Sequence, residues 1–218
     1  MIKPGQEWGS PCTGPPDCEV TGDDTALARA VAAHEGALIR FRPSASSDFA
    51  RAVGLEADQP NPPTTAVPVD ALVVDGADLA VNMVIAGTAP DRLRWFHTSS
   101  KTEVVVDGRV LFSGSATSVV IANGQFLRGN DVIPRGHPGD GRIEVQVYSV
   151  RPRERAALRH RLTSGAHLPH PAIVTGSGRR VELVRQGSRR AEIDGRSALR
   201  RLGGSTVEVA AGAYRLLV

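Results

Sequence analysis

Val120-Ile121-Ala122-Asn123-Gly124-Gln125-Phe126-Leu127-Arg128-Gly129 decides how this chain is read. An apolar run that stops at Asn-Gly is a buried strand running into a tight turn. Downstream come an apolar-Pro step at Ile133-Pro134 and an Asp-Gly turn in Gly139-Asp140-Gly141-Arg142. Ile143-Glu144-Val145-Gln146-Val147-Tyr148 then alternates, which predicts a strand with one buried and one wet face.

The same signals extend in both directions. Val104 to Phe112 is a hairpin with Asp107-Gly108 at its turn, preceded by strands over Val67 to Val74 and Leu79 to Ile85. Short strands follow at Arg180–Val184, Arg190–Asp194, Thr206–Val209 and Tyr214–Val218, with a basic helix over Arg153–Leu162. This density of short strands predicts a β-sandwich-like domain over residues 64–218. Upstream the grammar is α/β. A short strand over residues 19–21 leads to a helix over Thr25–His34, which Asp23 or Asp24 can cap and Gly36 can end. A strand at Ala37–Phe41 and a helix from Ser47-Asp48 to Gly54 come next. Residues 1–18 hold four prolines and read as extended or irregular. Pro60, Pro62 and Pro63 mark a boundary after residues 1–60. The fold class is α+β, an α/β lobe followed by a β-sandwich-like domain.

Four segments, in order, resemble the diacylglycerol/sphingosine lipid-kinase superfamily, which also takes in the NAD kinases. They are the Asn123-Gly124 stretch with Asp140-Gly141; Asn82 with Gly87; Ile193-Asp194-Gly195; and Asp48 to Leu55, which resembles the helix after the family's second nucleotide loop. The resemblance covers roughly residues 20–218 and implies a nucleotide lobe, a β-domain and a cleft between them. By the resemblance, Asp194 is the remnant of the general base. Gly22, Asp23, Thr25 and Asp48 are remnants of the nucleotide loops. Asp140 matches a position where some bacterial members hold a structural divalent ion, with a plain Asp-Gly turn as the competing reading.

The chemistry-bearing positions depart from the family. Its Gly-Gly-Asp-Gly-Thr loop reads Thr21-Gly22-Asp23-Asp24-Thr25 here, so Asp24 brings a negative charge toward anionic phosphates. Its Gly-Thr-Gly-Asn-Asp loop reads Ser44-Ala45-Ser46-Ser47-Asp48. Its Asp-Gly-Glu reads Asp194-Gly195-Arg196, and Arg196 cannot ligate magnesium. A neighbouring Arg196 is expected to favour the charged form of Asp194 and weaken it as a base. The 21 residues before Gly22 hold no phosphate-loop motif, so the front of the nucleotide lobe is expected to be absent. The expectation is a non-catalytic protein that binds a lipid or small apolar ligand, or a regulatory module. The alternatives are an active lipid kinase with an altered nucleotide site and a structural dimer module.

The chain has 218 residues, 41% of them hydrophobic, and no run of about 20 apolar residues. Its N-terminus lacks the apolar core of a signal peptide, and a cytoplasmic location is expected. Cys12 and Cys18 read as two free thiols, with a disulfide as the alternative. Residues 151–218 carry 14 arginines against 5 acids, whereas residues 1–150 carry 12 basic and 18 acidic residues. Arg151, Arg153, Arg155, Arg159 and Arg161 are candidates for an anionic membrane surface; a solvated basic helix, or packing against an acidic partner, gives the same pattern. No nucleic acid is expected, a homo-oligomer is expected, and no cofactor is expected beyond a divalent cation at Asp140. His160, His167 and His170 fit no zinc spacing and read as surface or structural. Trp8 and Trp95 read as core or interface anchors.

Overall fold

Asp23 starts the first helix: its carboxylate accepts from the Ala26 N–H at 2.9 Å, the usual cap geometry. The computed structural model describes residues 8–56, 64–187, 190–198 and 202–218. The proline-rich boundary around residues 60–63 lies outside them.

In chain order the lobe holds β1 (Ser10–Pro11), β2 (Cys18–Gly22), α1 (Asp24–Ala33), β3 (Leu38–Pro43) and α2 (Asp48–Val53). Ser47 caps α2 through Ala50 N, and Gly54 ends it in the left-handed conformation at φ +73, as a glycine there does at least cost. Next come β4 (Thr65–Val74), β5 (Asp78–Ala80), β6 (Met83–Gly87), β7 (Ser100–Val106), β8 (Arg109–Ala116) and β9 (Ser118–Ala122). The rest is β10 (Phe126–Leu127), β11 (Asn130–Asp131), β12 (Ile143–Tyr148), α3 (Arg155–Leu162), β13 (Ile173–Gly178), β14 (Arg180–Gln186), β15 (Ala191–Ile193), β16 (Arg196–Ala198) and β17 (Ser205–Leu217).

Two sheets face each other. One runs β1-β4-β17-β14-β7-β8, with β3 and β2 continuing from β17. The other runs β13-β12-β9-β6-β15-β16. Between them lies an apolar core that includes Leu72, Val104, Ile121, Val145, Leu183 and Val207. β17 joins the two parts of the molecule: its first residues pair with β14 and its last pair in parallel with β3, while β4 runs antiparallel beside it. The α/β lobe therefore packs Leu27, Ile39 and Phe49 against Val69, Tyr214 and Leu216 of β4 and β17.

Three sequence expectations are corrected and one is narrowed. Leu79 to Ile85 is not one strand but two, β5 and β6, in different sheets. The chain turns at Val81-Asn82, where a distant carboxylate takes the backbone N–H groups. Residues 206–209 and 214–218 are one strand, irregular between Ala210 and Tyr214, with Gly212 at φ +62. β12 has no wet face. Its second side is covered by a further core containing Tyr148, Leu158, Leu162 and Ile133, and Gln146 is 3% exposed. Of the two readings of Trp95, the core is excluded and the interface stays open, since it is 76% exposed. β13 and β16 carry too little apolar pattern, in Ile-Val-Thr-Gly-Ser-Gly and Arg-Ser-Ala, to be read from sequence.

Candidate inter-lobe carboxylate site

Asp194-Gly195 is the two-residue turn of the β15–β16 hairpin, with Ile193 opposite Arg196 and positive φ at both turn residues (+47 and +76). Such a turn favours Asp followed by Gly. The turn aims the Asp194 side chain inward. One oxygen accepts from Val81 N at 2.8 Å; the other accepts from Asn82 N at 2.9 Å and Met83 N at 3.0 Å. Burial pushes the carboxyl up to about 7, Asp24 adds to the rise, and the three N–H groups oppose it. The expectation that Arg196 would hold Asp194 charged is overturned, because Arg196 is exposed and burial governs the carboxyl.

Asp24 opens α1 from a buried position. It accepts from Ser47 Oγ at 2.5 Å and from Phe49 N at 3.1 Å. Burial raises it to about 6, against the pull of Ser47 and Phe49 and with help from Asp48 and Asp23. Thr25 Oγ1 donates to the Asp194 carbonyl at 3.4 Å. Gly22, at φ +142, lies where an added Cβ would stand 2.9 Å from the Ala26 Cβ. Asp48 reaches across to the β-domain, accepting from the backbone N–H groups of Arg128 and, at 2.8 Å, Gly129. The structure thus brings together Asp24, Thr25 and Asp194, with Asp48 nearby tying α2 to the β10–β11 turn. Asp23 is spent on its cap.

Asp140 lies apart from this group, in a local turn where it accepts from Arg142 N at 2.9 Å. Among the described residues, no three or more His, Cys, Asp or Glu side chains stand together as a metal site. Of the five candidate arginines, Arg155 is turned inward, 3% exposed, and cannot meet a membrane. Its guanidinium is consumed by the carbonyls of Val150, Arg94 and His97 at 3.0, 2.8 and 2.6 Å. Arg159 is half-buried and donates to the Leu93 carbonyl, while Arg151, Arg153 and Arg161 are exposed. His167 is buried and stacks on Tyr148; His170 accepts from Ala172 N. Trp8 donates to the Pro68 carbonyl, and Cys12 and Cys18 are free thiols.

Three features were missed from sequence. Asp70, buried in β4, accepts from Gly141 N at 2.6 Å and Gly212 N at 2.8 Å; a lone Asp inside an apolar strand was the available signal. Arg128 binds both Asp91 oxygens at 2.7 Å and Glu192 at 2.8 Å. No local pattern announces that network. Asn82 Oδ1, Asn123 Oδ1 and Tyr214 OH are buried without a protein partner. They border the same carboxylates: burial, then Asp194, Asp24 and Asp70, push the Tyr214 phenol well up. Two concavities lie outside the carboxylate group. A groove of about 890 Å³ runs past Ile133, Val145, Leu168 and Ile173, and a recess of about 330 Å³ opens beside Glu192.

Comparison with known proteins agrees with this architecture. A profile described as the YegS C-terminal NAD kinase beta sandwich-like domain matches residues 70–218. No curated protein sequence matches the chain. Among solved structures, a diacylglycerol kinase from Bacillus anthracis str. Sterne superposes with a TM-score of 0.69 at 17% identity, covering 91% of this chain and 75% of that one. An NAD kinase from Archaeoglobus fulgidus in complex with ATP gives 0.47 at 12% identity, over 92% of this chain and 76% of that one. The first of these likenesses is of fold. With that profile spanning well over half of its length, the chain belongs to the YegS C-terminal NAD kinase beta sandwich-like domain family.

Proposed function

We propose that this chain is a cytoplasmic, non-catalytic relative of the lipid kinases that binds a lipid and transfers no phosphate. One observation carries the reading. The backbone donors at the starts of α1 and α2 are already taken by the chain's own oxygens: Ala26 N by Asp23, Phe49 N by Asp24 and Ala50 N by Ser47. Helix N-termini bind phosphate through such free N–H groups and their positive end. Here two carboxylates sit at those ends, and a third carboxyl, Asp194, stands beside them. A nucleotide's phosphates would meet repulsion and find these donors occupied. Asp194, spent on three backbone N–H groups, is a poor proton acceptor for a substrate hydroxyl.

The likeness to a diacylglycerol kinase supports a lipid as the ligand, and the groove past Ile133 and Leu168 offers apolar lining for one. The open edges of β8 and β13 support self-association. Titration calorimetry with ATP and magnesium tests the central claim: no saturable heat is expected, and a micromolar Kd overturns it. Native mass spectrometry of the purified chain is expected to show co-purified lipid.

A further inference from the structure

Trp95 and Phe96 are neighbours in sequence and among the most exposed large apolar side chains of the molecule, at 76% and 60%. Their rings meet edge to face at 5.7 Å. A loop that exposes two aromatics is expected to be soft, but this one is held from beneath. Arg94 to His97 is a β-turn, closed by His97 N donating to the Arg94 carbonyl at 3.2 Å, so the aromatics occupy its two corner positions. His97 Nδ1 accepts from Arg94 N at 2.8 Å and clamps the turn again. The buried Arg155 guanidinium gathers the carbonyls of Arg94 and His97, and Arg159 takes that of Leu93. Burying a guanidinium is costly unless its N–H groups are hydrogen-bonded, and here carbonyls of Val150 and the turn supply the acceptors. The effect is a rigid turn with both rings aimed outward.

The surroundings are cationic. Arg92 and Arg94 flank the rings, with exposed Arg151 and Arg153 at the start of the helix that supports the turn. Glu154, just before this helix, pairs with Arg153, and Asp91 is neutralised by Arg128. Next to the turn, the recess of about 330 Å³ is lined by Arg92, His97, Arg190 and Thr88, with Glu192 paired to Arg128 and Arg92. Aromatic pairs on a rigid tip with arginines around them suit one environment, the headgroup layer of an anionic bilayer. There the rings sit in the interface and the guanidinium groups pair with phosphate.

We propose that the Trp95-Phe96 turn is a membrane-docking tip for anionic phospholipid bilayers, with a headgroup phosphate seated in the Arg92–His97 recess. The β10–β11 turn is tied to this segment, because Asp91 is bound to Arg128. The inference stands whether or not the chain transfers phosphate.

Vesicle co-sedimentation tests it, with phosphatidylglycerol-containing vesicles against pure phosphatidylcholine. Wild type is expected to bind the anionic vesicles and not the neutral ones. Trp95 emission should shift to the blue and be quenched by brominated acyl chains, a signal absent in Trp95→Phe. Trp95→Ala with Phe96→Ala is expected to lower the partition coefficient about tenfold with an unchanged melting temperature, since both side chains are exposed. Arg92→Ala with Arg94→Ala is expected to weaken binding and flatten its salt dependence. Absence of binding to anionic vesicles, or equal binding by the aromatic double variant, overturns the proposal. So does sedimentation showing a dimer that the aromatic variant dissolves without any vesicle binding, because the surface then belongs to a second copy.

Discussion

Asp194 and Asn82 are 112 positions apart, yet the Asp194 carboxylate accepts from the Asn82 backbone N–H at 2.9 Å. With Val81 and Met83 the same side chain fixes the corner at which the chain leaves one sheet for the other. Asp194→Asn keeps one acceptor and turns an amide donor toward backbone donors. It is expected to cost about 1–3 kcal/mol of unfolding free energy. Asp194→Ala, which orphans all three N–H groups, should cost more. Urea denaturation of both variants gives the order, and equal stability of wild type and Asp194→Ala would refute this role.

The two raised carboxyls make stability depend on pH in the direction opposite to ordinary ion-paired carboxylates. Both groups have folded pKa values, about 6 for Asp24 and about 7 for Asp194, above the ordinary 3.8. The folded chain therefore binds protons that the unfolded chain has released. This contribution is fully present below pH 3.8 and is lost as pH rises through 6 and 7. The melting temperature should fall between mildly acidic and mildly alkaline buffer, by an amount worth on the order of a few kcal/mol. Because Asp24 is among the causes that raise Asp194, the loss should come in two coupled steps. Thermal melts across this range check the sign, and a rise in stability through neutrality would contradict it.

Arg128 holds three parts of the molecule at one point. Its backbone N–H donates to Asp48 of α2, and its guanidinium grips Asp91 and Glu192. Burial alone would discourage its charge, but the hydrogen bonds to Asp91 and Glu192 outweigh that and hold it protonated. Arg128→Ala takes the cation from largely buried Asp91 and leaves Glu192 only its longer contact to Arg92 at 3.4 Å, and is expected to cost about 3–5 kcal/mol. Arg128→Lys should recover only part, since an ammonium cannot reproduce the planar fork. Denaturation midpoints of the pair decide it.

The sequence shows much of this fold because its turns are chemically specific. Asp107-Gly108 and Asp194-Gly195 occupy left-handed positions that few other residue pairs accept, and Asp23 and Ser47 stand where helix starts need acceptors. The break at Val81-Asn82 is invisible locally, since Leu79 to Ile85 is uniformly apolar and the cause is a carboxylate over a hundred residues away. The wet face predicted for Ile143–Tyr148 failed for a similar reason: α3 and the segment around Ile133 cover the second side, and Gln146 is satisfied there by the Val132 carbonyl at 3.0 Å. In the candidate site, motif resemblance found Asp24, Asp48 and Asp194. It could not find Asp70 or the Arg128 network, whose meaning lies in partners distant along the chain.

Gly124, in the stretch that decides the fold, has a steric reason to be glycine. A Cβ there would stand 2.2 Å from Asn82 Oδ1. Asn82 cannot swing away freely, because its Nδ2 donates to the Phe126 carbonyl at 3.0 Å. Gly124→Ala is therefore expected to destabilise by about 1–3 kcal/mol, and Gly124→Ala combined with Asn82→Ala should cost less than the sum of the two. A double-mutant cycle on melting data measures that coupling.

Restoring the two family residues, Asp24→Gly and Arg196→Glu, is not expected to create a kinase. Removing Asp24 takes one negative charge from the loop, but it orphans Ser47 Oγ and Phe49 N, which Asp24 now satisfies. The exposed Glu at 196 would stand beside an Asp194 whose oxygens remain committed to residues 81–83. Phosphoryl transfer depends on positioning and preorganised charge acting as a unit, so one or two corrected side chains gain little. What should change is titration. Without Asp24 its own step near 6 disappears and one of the causes raising Asp194 is gone, so the upper step should move down. Radiolabelled phosphate transfer to diacylglycerol, run beside thermal melts against pH, reads both effects. Turnover above the mock-purified background, abolished by Asp194→Asn, would show a working nucleotide site. An unmoved upper step would show that Asp24 does not raise Asp194.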